Sequence, residues 1–443
     1  MDTIAAIATP LGTGAVGIIR ISGEKARDIV ARIFKPYKIE NFSKATPYTM
    51  YLGKLDCGGV RDKALAVLFA APNSYTGEDV AELHCHGGAA LLRHVLEGVC
   101  AAGARIADRG EFTRRAFLNG KMDLSDAEGV IDMINGDSAA AVNAGYRLAT
   151  GGVSAAVHGL TSPLLDVIAH MEAALDYPEE MEEEARIAAM PVLDALIEKT
   201  EKLLSTCRAG SVVKNGITVA IVGETNVGKS SLLNALTGRD RAIVTDIAGT
   251  TRDSIEEALE WKGITLRFVD TAGLRESSDV VESMGISRSR DIAKSSDIVL
   301  FVTDGSRPNN AKKSELLKDV GENTPVIDVV NKSDLKNFSC AKGLKISART
   351  GENLDKLKDV IVETVLGKNI DSGGELITSI RHKEALERAL GSLKSAQAGF
   401  DEVPAECTLL DLRAAYSAYG EITGDTADEN IIDTIFSKFC LGK

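Results

Sequence analysis

At 443 residues, 44% of them apolar and 26% charged, the chain has room for two to four domains with cores of their own. No run of 18 apolar residues occurs, so no membrane span is expected, and the opening MDTIAAIATPLGTGAVGIIRISG has no basic segment ahead of its apolar stretch, so no signal peptide is expected either. A formal net charge of −13 argues against gripping nucleic acid by bulk electrostatics, and seven cysteines without a CxxC pair suit a reducing, cytoplasmic setting.

Residues 1–118 carry 15 Lys and Arg against 12 Asp and Glu, whereas residues 119–214 carry 7 against 16, so an RNA partner would meet local patches. The first segment alternates β-type runs (VGIIRIS, ALAVLFA, DVAELHCHG) with Gly- and Pro-marked turns and one helical stretch, AALLRHVLEGVCAAG. It reads as an N-terminal α+β domain, 1–118. From Leu124 to Leu204 the pattern is long-helical, which gives the first half of a helical domain, 119–214. The acidic stretch PEEMEEE lies between two of its helices and reads as a solvated connector or exposed helix face. Strand–loop–helix alternation then begins: ITVAIVG, LRFVDTAG, IVLFVTDG and PVIDVVNKSD predict a doubly wound parallel sheet over 215–370. Helical patterns return over 371–443. The economical architecture is an α/β domain inserted into a helical one.

The inserted segment carries the chemistry. Gly223, Gly228, Lys229 and Ser230 satisfy G-x-x-x-x-G-K-[ST] between a strand and a helix. In that pattern the glycines turn backbone N–H groups onto phosphate oxygens, the lysine neutralises the β- and γ-phosphates, and the hydroxyl completes a Mg2+ shell. Asp270-Thr271-Ala272-Gly273 ends the next apolar strand, with a carboxylate to reach the metal through water and a glycine N–H to sense a γ-phosphate. Asn331-Lys332-Ser333-Asp334 follows another strand, and Asp334 offers two acceptor oxygens to guanine N1–H and N2–H2, a donor pair that adenine lacks. Ser347-Ala348-Arg349 supplies backbone donors for the guanine carbonyl. Four motifs in this order predict a Ras-like P-loop GTPase domain. Leu274 stands where Ras-type proteins carry a water-orienting glutamine, so another polar group must serve, with Glu276 and Glu282 as candidates or as ordinary solvated acids.

Longer stretches are more specific. TDIAGTTRD, DTAGLRESSDVVESMGI, PNSYTGEDVAELHCHGG, GEFTRRAFLNGKMDLSDAE, the opening ATPLGTGAVGIIRISG and the closing FCLGK together resemble the MnmE/TrmE family of tRNA uridine-modification GTPases, from Asp2 to Lys443. The resemblance implies a homodimer with an N-terminal tetrahydrofolate-binding domain, a helical domain and an inserted G domain. It implies an FAD-containing partner of the MnmG/GidA family, in a heterotetramer or larger complex, and a tRNA substrate modified at C5 of wobble uridine 34. The product is an aminomethyl or carboxymethylaminomethyl group, with the one-carbon unit drawn from 5-formyl- or 5,10-methylene-tetrahydrofolate. The resemblance implies no membrane. It also implies a GTPase activated by K+ and by G-domain dimerisation.

By position the resemblance assigns K+ to Asn226, Thr245, Ile247 and Thr250, Mg2+ to Ser230 and Thr251, and the attacking water to Glu282. It extends the GTP contacts to Val227, Ser231, Asp246, Ala248 and Gly249, beside the motif residues already named. Arg20, Glu82, Lys121 and Lys443 fall on folate-contacting positions. Cys440 would then sit beside that chemistry as nucleophile or proton donor; its other reading is a small packed residue at a helix end. Prenylation is not expected, because Gly442 and Lys443 fit neither slot of the motif. Glu224-Thr225 replaces the family's Pro before Asn226, Leu11-Gly12-Thr13 its Pro-Gly-Arg, and Leu441 its Ile. His84-Cys85-His86 lacks further clustered ligands and is weak as a metal site. A K+-dependent regulatory GTPase of ribosome assembly is the alternative; a basic GxxG RNA-binding module after Gly374 would favour it, and none is present.

Overall fold

The computed structural model describes residues 2–176, 178–238, 256–270, 296–307, 313, 317, 320, 324–339, 342–367, 375–400 and 402–443, without the side chains of 178–183, 256 and 270. They group into two compact units, residues 1–131, 148–197 and 388–443 in the first and 132–147 with 198–387 in the second. The segment expected as the inserted domain lies within the second.

The first unit opens with a seven-stranded sheet made of β1 (Ile4–Ile7), β2 (Gly14–Ser22), β3 (Phe34–Pro36), β4 (Tyr51–Cys57), β5 (Val60–Phe69), β6 (Val80–Gly87) and β7 (Arg105–Ile106). Their order is β3-β4-β5-β6-β2-β1-β7, antiparallel throughout except for β1 with β7. Alternation sets the faces. Ala81, Leu83 and Cys85 of β6 are buried in the core with Ile19 and Ile21 of β2 and with Leu92, Val95 and Val99 of the helix Ala89–Ala101. Glu82, His84 and His86 therefore take the opposite face. In the β2–β6 register Arg20 stands directly across from Glu82, a pairing that no local pattern announces.

The helical part of this unit includes Gly152–Asp176, which is long and apolar enough by length and composition to cross a bilayer. Its buried Val153, Val157, Leu160, Leu164, Val167, Ile168 and Met171 recur at helical spacing and form one stripe, and the helix packs against Ala405–Thr423. The long-helical pattern that begins at Leu124 breaks at Gly136, Asp137 and Ser138, giving Leu124–Asn135 and Ala139–Ala149, the latter mostly within the second unit. Asp123 starts the first by reciprocal capping: its Oδ1 accepts Asp126 N at 2.7 Å and Asp126 Oδ2 accepts Asp123 N at 3.1 Å. Burial, and then the nearby Asp123 charge, push the Asp126 carboxyl up to about 6. The PEEMEEE backbone opens the helix Pro178–Ser205.

The second unit holds a six-stranded sheet of β8 (Ile217–Gly223), β9 (Glu256–Trp261), β10 (Ile264–Asp270), β11 (Ile298–Asp304), β12 (Val326–Asn331) and β13 (Leu344–Lys345). The order is β13-β12-β11-β8-β10-β9, parallel except for the β9–β10 hairpin. Lys262 (φ 51°) and Gly263 (φ 84°) form that hairpin's two-residue turn, both in the left-handed region that such a turn demands. β8 is buried on both faces, and the next strands lie on opposite sides of it, β10 on one and β11 on the other. That is a topological switch point, where a doubly wound sheet opens a crevice beyond its strand ends. The core joins β8, β10 and β11 to the helices Lys229–Thr237 and Leu354–Leu366.

Candidate functional site

In the second unit the loops that follow β8, β11 and β12 converge. The turn after β8 passes Asn226 at φ 64° and Gly228 at φ 95°, and the helix Lys229–Thr237 begins immediately. A Cβ on Gly228 would lie 2.5 Å from Asn331 Nδ2, so both the backbone angle and the close approach require glycine. The N–H groups of the first helical turn and the helix dipole suit this place to an anion. Lys229 is buried, its ammonium donating to Gly223 O at 2.9 Å and Glu224 O at 2.7 Å across the loop. Val227 is buried, while Glu224, Asn226, Ser230 and Ser231 are exposed on the loop and first turn.

Two successive residues at the end of β12, Asn331 and Lys332, hold two successive carbonyls of that loop. Asn331 is buried; its Nδ2 donates to Val227 O at 3.0 Å and its Oδ1 accepts Ala348 N at 3.0 Å. Lys332, at φ 69°, donates from Nζ to Asn226 O at 3.1 Å and to Asp304 Oδ2 at 2.6 Å. Asp334 is exposed, with Oδ1 accepting the buried Ser347 hydroxyl at 2.7 Å. Ser347 Oγ also accepts Thr350 N at 3.1 Å, which fixes the loop whose Ala348 N–H Asn331 has engaged. A phosphate-binding turn and a carboxylate suited to a base with adjacent N–H donors are thus tied together through Asn331. Asp304 was not singled out in the sequence. Its signal, an acid closing an apolar strand, is common.

Asp270 ends β10, where its backbone pairs with Ile221 of β8. Thr245, Asp246, Ile247, Ala248, Gly249, Thr250, Thr251, Thr271, Ala272, Gly273, Leu274, Glu276 and Glu282 lie outside the described residues. The expected K+ loop and the water-positioning acid are among them.

The first unit gathers a second set. Arg20 Nε donates to Glu82 Oε1 at 2.9 Å and Nη1 to Gly442 O at 3.4 Å, and the guanidinium lies 5.4 Å from the Tyr75 ring centroid and 5.9 Å from that of Phe112. His84 Nε2 is 3.1 Å from Glu82 Oε2. Burial alone would raise the Glu82 carboxyl; the hydrogen bond with His84 and the Arg20 charge outweigh it and hold it below the usual range. The tail reaches this cluster through Gly442 (φ 92°), whose added Cβ would lie 2.3 Å from Ile7 O on β1. Lys443 is half-buried; burial and Arg20 push its ammonium below the ordinary value, against the opposing charges of Glu82 and Cys440. Cys440 is a free, exposed thiol. Lys121 is exposed beside the same loop as Tyr75, its Cγ 3.3 Å from where a Cβ on Gly77 would stand. His86 pairs with Asp62 at 2.6 Å and Cys85 faces the core, so His84, Cys85 and His86 do not converge.

Residues 3–121 match the family model described as "GTP-binding protein TrmE N-terminus", and residues 124–440 match "MnmE helical domain". The "tRNA modification GTPase MnmE" of Carboxydothermus hydrogenoformans is 40% identical over 459 residues, covering 100% of this chain and 99% of the relative. The protein of that description from Desulforamulus reducens is 41% identical over 464 residues, with the same coverage of both chains.

Proposed function

The chain belongs to the MnmE/TrmE family of tRNA modification GTPases, and on that premise we propose that it hydrolyses GTP to drive C5 modification of tRNA wobble uridine 34 in the cytoplasm. The enzyme is a GTPase. The observation that carries the nucleotide half of the reading is Asn331. It ties the P-loop to the Ser347–Ala348 loop, and so sets a phosphate cradle at a fixed distance from Asp334, the guanine-reading carboxylate.

In this reading GTP displaces the loop carbonyls from Lys229, whose ammonium then neutralises the β- and γ-phosphates while the first-turn N–H groups hold their oxygens. Asp334 accepts from guanine N1–H and N2–H2, and the Ala348 loop donates to the base carbonyl. Hard oxygen donors suit Mg2+, and the exposed Ser230 hydroxyl on the first helical turn fits that need, with Thr251 as its partner. The exposed Asn226 offers an amide oxygen beside the phosphates, the donor type a K+ ion takes, with Thr245, Ile247 and Thr250 completing the set. When bound, that cation supplies a positive charge against the developing γ-phosphate charge. Glu282 orients the attacking water in place of the missing glutamine. Dimerised G domains close the loops.

The N-terminal cluster would hold a tetrahydrofolate. Arg20, Glu82, Lys121 and Lys443 would contact it, the exposed Lys121 suiting its glutamate tail, and Lys443 brings the thiol of Cys440 to the one-carbon unit. Homodimerisation and an FAD-containing partner of the MnmG/GidA family complete the machinery that installs the aminomethyl-type group.

Mass spectrometry of digested total tRNA, from cells lacking the gene and from cells with it restored, tests the reading. Loss of C5-modified wobble uridines that returns on restoration is expected. Unchanged tRNA with accumulating ribosomal precursors would overturn it in favour of a regulatory switch.

A further inference from the structure

Asp304 closes β11, next to the P-loop strand β8, and its side chain is 6% exposed. One carboxylate oxygen accepts Ser306 N at 2.9 Å and Ser306 Oγ at 2.6 Å. The other accepts Lys332 Nζ, which also donates to Asn226 O. We propose that Asp304 is a positioning residue for guanine-nucleotide binding, acting through Lys332 to fix the P-loop carbonyl of Asn226.

A lysine ammonium is a point charge on a flexible four-carbon stem and does not stay over one carbonyl unaided. A buried carboxylate behind it removes that freedom and gives a charge-assisted bond. Asp304 is itself fixed, because β11 is paired on both sides, with β8 and β12, and Ser306 occupies its second oxygen. Burial pushes the Asp304 carboxyl up, but the bonds from Lys332 and Ser306 outweigh it and bring it to about 2. Asn226 stands at φ 64°, in the left-handed region that asparagine tolerates better than most residues, so what the anchor fixes is the direction of its carbonyl. Val227 O, the next carbonyl, is held by the neutral amide of Asn331, so the carboxylate supports the first of two adjacent tethers. Asp304 thereby links the base-reading loop to the turn that receives the phosphates.

The inference rests on GTP being bound at these loops, and its test separates the two. Affinity for the fluorescent nucleotide mant-GDP, with KM and kcat for GTP, is measured for the wild type, Asp304→Asn, Lys332→Ala and the double variant. Asp304→Asn keeps an acceptor for Ser306 but loses the charge and the acceptor for Lys332. We expect mant-GDP binding to weaken by about tenfold, with KM rising in parallel and kcat changing by less than about twofold. Beside Lys332→Ala the same change should add less than about twofold, since the residue acts through that lysine. Unaltered affinity, or an undiminished loss in the Lys332→Ala background, overturns the proposal. If Asp304→Asn does not fold, Asp304→Glu enters the same cycle, with an expected loss of about threefold that again vanishes beside Lys332→Ala. A wild type that fails to bind mant-GDP sinks the nucleotide reading itself; a wild type that binds beside an unaffected variant sinks only this inference.

Discussion

Each compact unit contains a cation–carboxylate pair in its candidate site, Arg20 with Glu82 in the first and Lys332 with Asp304 in the second. They are built differently. Lys332 and its neighbours belong to short runs of consecutive residues at strand ends, and each run is positioned by its own strand. Arg20, Glu82 and Lys443 come from three distant parts of the chain and meet because β2 pairs with β6 in one register and the tail docks on β1. A site made of local loops fails where a loop's backbone is strained. A site made of distant parts fails where a docking contact is lost.

The sharpest break of the first kind is Gly228→Ala. The alanine would sit at φ 95° with its Cβ 2.5 Å from Asn331 Nδ2, so the turn and its tether cannot both survive. Strain and the lost bond together should weaken mant-GDP binding by more than about 1000-fold, measured by fluorescence titration. Asp334→Ala keeps the turn but removes the carboxylate, and with it the acceptor of the Ser347 hydroxyl. Two charge-assisted bonds to guanine are lost, and GTP affinity should fall by about 100-fold while weak ATP binding is unaltered, as competition assays would report.

Gly442→Ala probes the other construction. At φ 92° and 2.3 Å from Ile7 O, a methyl group would lift the tail from β1 and take the Gly442 carbonyl from Arg20. Affinity for 5-formyltetrahydrofolate should drop by about tenfold in calorimetry, with GTP turnover unaltered. Equal losses in both assays would refute the distinction between the two sites.

The smallest effect concerns the acidic cap in the first unit. A carboxyl raised to about 6 is protonated more readily in the folded than in the unfolded chain, so its contribution to stability is lost as pH rises from about 4 through 6. Asp126→Asn keeps an oxygen for Asp123 N and removes the charge. After allowance for solvent screening it should stabilise the fold by about 1 kcal/mol at pH 8 and by little at pH 4, read from thermal unfolding at the two pH values. A gain of equal size at both would show that the charge is irrelevant there.

The sequence alone determined the nucleotide loops and the strands that carry them. Each needs a few contiguous residues whose backbone chemistry is local, such as a glycine at positive φ or an asparagine that ends an apolar strand. The apolar runs of β2, β5, β6, β8, β10, β11 and β12 were legible for the same reason. β9 was not: EEALEW carries no strand signature, and only its antiparallel pairing with β10 makes it one. The break at Gly136 was hidden because the residues on either side of it keep a helical pattern. Arg20, Glu82 and Lys443 could be named by resemblance, but that Arg20 meets both Glu82 and Gly442 O depends on sheet register and chain return. Tertiary structure alone decided the part given to Asp304. An acid at the end of an apolar strand has many fates, and this one is set by which strand lies beside β8 and by which lysine reaches across it.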